Sequence, residues 1–173
     1  NSLLYLANLS PSCKFSRITI LYPGTYDNYP NIGGYAKKIF IGSTNTLRLL
    51  SILDDETGNV EITNAVHRFG TIGTEPVDNA SQGGLTAEID LDTGMLSAEK
   101  NYQESIKYYV HPNTGADIQG IRIPNWRNIK QEIINVAQKF PYIYFMAWDV
   151  VITSNGISII EINASTDLDL FQL

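Results

Sequence analysis

From Thr46 onward the chain alternates between apolar and other residues with a strand's period of two. Leu47, Leu49 and Ser51 alternate with Arg48, Leu50 and Ile52, which predicts a strand with apolar groups on both faces. Asp54-Asp55-Glu56-Thr57-Gly58-Asn59 predicts a turn, and Val60 to Phe69 the returning strand, with His67 and Arg68 near its end. Gly70 to Gly84 reads as a long loop. Leu85 to Leu91 alternates again, Asp92-Thr93-Gly94 turns, and Met95 to Lys100 returns. Residues 124–140 break this rhythm. Trp126, Ile129, Ile133, Val136, Ala137 and Phe140 recur at three- and four-residue steps, so an amphipathic helix is expected, opened by Pro124-Asn125 and stopped by Pro141. Phe145 to Thr153 and Ile157 to Asn163 are β-rich runs joined by Ser154-Asn155-Gly156, a hairpin signal. Ahead of Thr46, Ile18 to Tyr22 suggests a strand. Gly and Pro then crowd into a loop through Gly34, and Lys37 to Ile41 suggests a short strand or turn. The expected fold is α+β, an antiparallel sheet with packed helices, backed by the helix at 125–140.

Composition supports a folded domain. Of the 173 residues, 43% are hydrophobic and 17% charged, so the chain can bury a core. The net charge of -6, with no Lys/Arg run, argues against a nucleic-acid partner. A phosphate ligand would have to be held by a metal or by a few placed basic groups. The single cysteine, Cys13, excludes an internal disulfide and fits a reducing compartment. Apolar stretches are too short to span a bilayer, and a soluble, cytoplasmic protein is expected.

The closing hairpin carries the candidate chemistry. Asp149 lies between Phe145-Met146-Ala147-Trp148 and Val150-Val151-Ile152, and Glu161 lies within Ile159-Ile160-Glu161-Ile162-Asn163. A charge inside an apolar strand is costly unless it is paired or bound to a metal. If the loop is residues 154–156, Thr153 pairs with Ile157 and Asp149 falls opposite Glu161. Asn163 then shares the face of Glu161. Two facing carboxylates repel, each raising the other's pKa, and a hard cation relieves that. The all-oxygen set of Asp149, Glu161 and Asn163 suits Mg²⁺. The competing reading leaves both acids pointing to solvent from a half-exposed sheet. A two-residue turn at Asn155-Gly156 would put the two acids on opposite faces.

The run Trp148-Asp149-Val150-Val151-Ile152-Thr153, then Gly156, then Ile159-Ile160-Glu161-Ile162-Asn163, resembles the closing hairpin of ATP-grasp enzymes. In them an acidic residue precedes a Glu-x-Asn pair, and the three bind Mg²⁺ on ATP phosphates. A narrower resemblance covers roughly residues 36–172. Asn45-Thr46-Leu47-Arg48, Val77-Asp78-Asn79 with Gly83-Gly84, His111-Pro112, Ile123-Pro124-Asn125-Trp126 and the Trp-Asp hairpin occur in one order. That order is similar to the sugar-transfer-associated ATP-grasp family, related to α-L-glutamate-ligase-like proteins. The resemblance implies a C-terminal ATP-grasp subdomain over 36–173, with 1–35 a poorly matched N-terminal segment. ATP and Mg²⁺ are the implied cofactors. Small-molecule carboxylate and amine substrates, sugar-linked ones included, are the implied partners. The implied activity is carboxylate–amine ligation through an acyl-phosphate, in cell-surface polysaccharide or peptide modification.

Within that resemblance Arg48 and Arg68 are candidates to hold a phosphoryl or acyl-phosphate group. For Arg48 the alternative is a packed stem with its head in water, and Arg68, with His67, could equally be a surface group. Asn79, with Asp78, Gly83 and Gly84, is similar to the Asn…Gly-Gly substrate loop of glutathione-synthetase-like ligases. Ordinary turn chemistry is the alternative, and the 70–84 loop is expected to be mobile. His111, Trp126 and Trp148 are expected to be structural, and Asp167 and Asp169 solvated, with further metal ligation the alternative for these two acids. The family's nucleotide-binding subdomain, with its phosphate-binding lysines, belongs N-terminal to the match. Residues 1–35 show no counterpart, so an incomplete ligase is expected. A truncated, non-catalytic metal- or ligand-binding module and a carbohydrate-binding β-domain are the competing readings.

Overall fold

A computed structural model describes residues 18–19, 34–101, 106–153 and 156–164. Cys13, Asp167, Asp169, most of the proposed 18–22 strand and the Ser154-Asn155 turn lie outside the described residues. Eight strands form one antiparallel sheet: β1 (Ile18–Thr19), β2 (Leu47–Leu53), β3 (Val60–Phe69), β4 (Leu85–Glu88), β5 (Glu99–Asn101), β6 (Lys107–Tyr108), β7 (Phe145–Thr153) and β8 (Gly156–Asn163). Their order is β1-β8-β7-β2-β3-β4-β5-β6. The closing hairpin is therefore inserted beside β2, and β2 lies between β3 and β7. No helix among the described residues is long and apolar enough to cross a membrane.

Helices are few. The longer, α2 (Trp126–Ala137), is shorter than the periodicity predicts at both ends. Asn125 takes a left-handed conformation at φ 56°, which cannot continue a helix backwards. Phe140 is buried beyond the last helical turn, so it keeps the pattern without being helical. Trp126, Ile129, Ile133 and Ala137 enter one core with Leu47, Leu49, Phe69, Met146, Trp148 and Val150. Each buried Ile of that set contributes about 1.5–3 kcal/mol. The indole of Trp148 donates to Ser51 Oγ at 2.8 Å, and that of Trp126 to the Leu91 carbonyl at 2.9 Å, which satisfies both polar tips.

The expected strand or turn at 37–41 is instead mostly a six-residue helix, α1 (Gly34–Ile39). Ala36, Ile39 and Phe40 are buried at three- and four-residue spacing, which a strand could not place on one side. Asn45, at φ 51°, closes this helix: its Nδ2 donates to the Phe40 carbonyl at 2.5 Å and the Ala36 carbonyl at 3.4 Å. Its Oδ1 accepts from Ser43 Oγ and the Gly70 amide. Asn45 thus ties α1, the start of β2 and the end of β3 together.

Candidate functional site

The two faces of β7 divide the labour. Met146, Trp148 and Val150 point into the core, while Ala147, Asp149 and Val151 are buried on the other face. On that second face Asp149 stands opposite Arg48 of β2 and opposite Glu161 of β8. Asn163, opposite Ala147, lies two residues from Glu161 and shares its side.

This register arises differently from the expected one. Thr153 pairs with Gly156 rather than Ile157. That pairing alone would set Asp149 opposite Ile160 and turn Glu161 to the core face. A register shift next to Asp149 makes Ile160 an extra residue in β8 and restores the Asp149–Glu161 pair. Ile157 and Ile159 before the shift, and Ile162 after it, can then all pack against the core. The apolar demand for three isoleucines on one side gives the shift a physical reason.

Arg48 meets Asp149 as a bidentate pair, Nε to Oδ1 and Nη2 to Oδ2, both at 2.7 Å. Arg68, on the same face of β3, brings its Nη2 within 3.4 Å of Asp149 Oδ2 and 3.8 Å of Asp78 Oδ1. Its Nε and Nη2 also donate to Thr46 Oγ1 at 2.9 and 2.5 Å. Thr46 in turn donates to Asp78 Oδ2 from its amide at 2.5 Å and from its hydroxyl at 2.6 Å. The result is a continuous network, Asp78–Thr46–Arg68–Asp149–Arg48. Thr46 was only part of a motif in the sequence, and it proves to be the junction. Its position directly before the charged strand was the available signal.

The electrostatics correct the picture of two unrelieved acids. Burial alone would raise the Asp149 carboxyl, but the Arg48 hydrogen bonds and the charges of Arg68 and Arg48 outweigh it and hold the carboxyl below the usual range. Burial likewise works against the charged form of Arg48. Asp149, then Glu161 and Asp78, more than offset that and raise its pKa. Three carboxylates against two guanidiniums leave one net negative charge. Among the described residues no group of three or more His, Cys, Asp or Glu is placed to hold a metal. A cation at this face would have to draw on the Asn163 amide as well as on the two acids. Asp149 has four lone-pair positions; Arg48 takes two and Arg68 approaches a third, which leaves little spare coordinating capacity while both arginines stay in place.

The 70–84 loop is held by many hydrogen bonds, against the expectation of mobility. The Gly70 amide donates to Ser43 Oγ, and the Ile72 amide to Asn113 Oδ1. Thr71 and Thr74 bond each other, and Asp78 is held by Thr46. The Gly83 amide donates to the Ala80 carbonyl and the Gly84 amide to the Asn79 carbonyl. A Cβ at Gly84 would lie 2.8 Å from the carbonyl oxygens of Asp78 and Asn79. Close packing within the loop thus requires that glycine, and its amide is not free for a ligand. Asp78 reaches the charged cluster, while the Asn79 side chain is exposed and accepts from Ser81 Oγ.

Both histidines are structural. His67 is buried between β-strand neighbours, and desolvation lowers its pKa to about 3. It faces the Tyr35 hydroxyl at 2.6 Å through Nε2 and the Arg68 carbonyl at 3.1 Å through Nδ1. Nδ1 therefore carries the proton and Nε2 accepts from Tyr35. His111 meets the Gly70 carbonyl at 2.8 Å and stacks on Phe40.

Compared with protein families, the chain matches one model, described as sugar-transfer associated ATP-grasp, over residues 35–173. No curated protein matches it.

Proposed function

The chain belongs to the sugar-transfer associated ATP-grasp family, and on that premise we propose that it carries the metal- and phosphoryl-binding side of a Mg-ATP-dependent carboxylate–amine ligase acting in cell-surface polysaccharide or peptide modification. The observation that carries this reading is the shared sheet face of Asp149, Glu161 and Asn163, with Arg48 and Arg68 on Asp149.

The donor set is chemically suited to Mg²⁺: two carboxylates and an amide, all oxygen. Asp149, Glu161 and Asn163 would hold it, and it would supply charge neutralisation on ATP phosphate oxygens. The reaction is two displacements. A carboxylate oxygen of the acid substrate attacks the γ-phosphorus, and ADP leaves. The amine nitrogen then attacks the acyl carbon, loses a proton and expels phosphate. Arg48 and Arg68 bind the phosphoryl oxygens and orient them, because a guanidinium fork matches an oxyanion geometry. Asp78 and Thr46 position Arg68. Of the loop residues only Asp78 reaches this cluster; Gly84 packs on the Asp78 and Asn79 carbonyls, and the Asn79 side chain is exposed.

A non-catalytic binding module is the second reading. It is favoured by the bidentate Arg48–Asp149 pair, which is complete without any ligand. Thermal denaturation of the chain with Mg²⁺ and a non-hydrolysable ATP analogue separates the two. Stabilisation that requires both supports the ligase reading. Stabilisation by metal alone, or by neither, removes it.

A further inference from the structure

Beyond the charged cluster, the same sheet face continues to the far edge. Arg68 pairs with Thr86 on β4, Thr86 with Lys100 on β5, and Lys100 with Lys107 on β6. Directly paired residues project to one side. Arg68, Thr86, Lys100 and Lys107 therefore form a row across four strands, next to the row that holds Asp149, Arg48 and Glu88.

Two lysines directly opposite one another repel, so the pairing disfavours the empty sheet. Neither lysine is in an ion pair among the described residues. A lysine on β6 alone is explained by edge protection, since charge on an edge strand blocks pairing with another chain. That does not explain Lys100, which lies on an interior strand. The lysines also border a cavity of about 250 Å³ with Glu88, Ser97, Tyr109 and Gln119. In the same row the Thr86 hydroxyl is buried and without a hydrogen-bond partner among the described residues.

We propose that the Lys100–Lys107 cavity is an anchoring subsite for a second, non-reacting oxyanion on the acid substrate, either a phosphate ester or a carboxylate. This rests on the ligase reading for its role, though not for its existence. Three strand spacings separate Arg68 from Lys107, about 14 Å at the backbone. A substrate that reacts at the arginines and is anchored at the lysines is thus an elongated acid, anionic at both ends. Glu88, Ser97 and Gln119 offer acceptors and donors for hydroxyl or amide groups beside the anchored anion. Binding of a remote group holds the reacting end in place.

The test uses the ¹⁵N-labelled 173-residue chain, titrated at constant ionic strength with inorganic phosphate and separately with succinate. Saturable amide shifts at residues 97–100 and 107–109 are expected, and their loss in K100Q/K107Q, with the rest of the spectrum unchanged. A phosphate response alone assigns a phosphate ester, and a response to both assigns oxyanions generally. Shifts that are absent in the wild type, or that persist in K100Q/K107Q, overturn the subsite. Thermal stabilisation by Mg²⁺ and the ATP analogue should survive in K100Q/K107Q. Its absence in both proteins removes the ligase reading, while lysine-dependent phosphate shifts would still support the anion site.

Discussion

Replacing Arg48 by Met keeps an unbranched stem in the strand and removes both hydrogen bonds to Asp149. Deleting one partner of a buried ion pair costs about 3–5 kcal/mol, because a charge is left desolvated. Two features reduce that here. Arg68 remains 3.4 Å from Asp149 Oδ2, and the Arg48 side chain retains 14% of its exposure. The expected loss at pH 7 is about 2–3 kcal/mol, discounted from the buried-pair range for this residual partner and solvent. The pH dependence is the sharper signature. In the wild type the folded Asp149 pKa is depressed, so its contribution is present above the ordinary carboxylate pKa and is lost as pH falls through the folded value. In the variant burial opposes Arg68 alone, so the carboxyl moves upward. A raised carboxyl costs stability above its ordinary pKa and recovers it on protonation. The stability gap between the proteins should therefore narrow from pH 7 to pH 4. Urea unfolding at both pH values, at constant ionic strength, measures it. An equal gap at pH 7 and pH 4 would refute the assignment of Asp149 as a charge held down by Arg48.

Three further outcomes are expected. Glu99 is buried, both its oxygens lack hydrogen-bond partners among the described residues, and desolvation raises it to about 9. Between its unfolded pKa and about 9 the folded state binds the extra proton, so wild-type stability falls as pH rises. The advantage of Glu99→Gln should grow by about 1.4 kcal/mol per pH unit across pH 5–8 in urea unfolding, and a flat difference would show that Glu99 is solvated. Thr46→Val removes the hydroxyl that accepts from Arg68 and donates to Asp78, and should cost about 1–3 kcal/mol by the same assay. Glu161→Gln should abolish the Mg²⁺-nucleotide thermal shift while changing the melting temperature of the unliganded protein little, because Glu161 is only partly buried and its charge assists Arg48. A large fall in that melting temperature would make Glu161 a structural group.

Most of the sheet was legible because its strands carry their period openly. Both strands of the 47–69 hairpin and the turn between them fall where the sequence pattern puts them, and β7 where its β-rich run does. The sheet order was not legible, since period says which face a residue takes and nothing of which strand lies beside it. The pairing of β2 with β7, which joins Arg48 to Asp149, comes from residues 101 apart in the chain. The helix at 34–39 was hidden by glycines on its N-terminal side and by its brevity. At the site, the facing of Asp149 and Glu161 was expected from a three-residue loop. It is reached through a shorter turn register and a compensating bulge. Turn chemistry at Ser154-Asn155-Gly156 could not reveal that. The spacing of Ile157, Ile159 and Ile162 could, because no unbroken strand puts all three on one side.

The charged network also sets conditions on what can bind. Every described carboxylate in it has a guanidinium within reach, which is how a sheet face that also buries Ala147, Val151, Leu50 and Val66 can carry five charged groups. A bare divalent cation meets an Asp149 already neutralised by Arg48 and gains little Coulomb energy from it. A bare polyphosphate can recruit the arginines, but then leaves Asp149 and Glu161 as facing, uncompensated acids. A metal–nucleotide complex would satisfy both halves at once: Arg48 and Arg68 would hold its phosphates, and Asp149 and Glu161 its cation. In the proposed function the unliganded ion pairs are therefore placeholders for the ligand's own charges, and metal and nucleotide should bind together far more tightly than either binds alone.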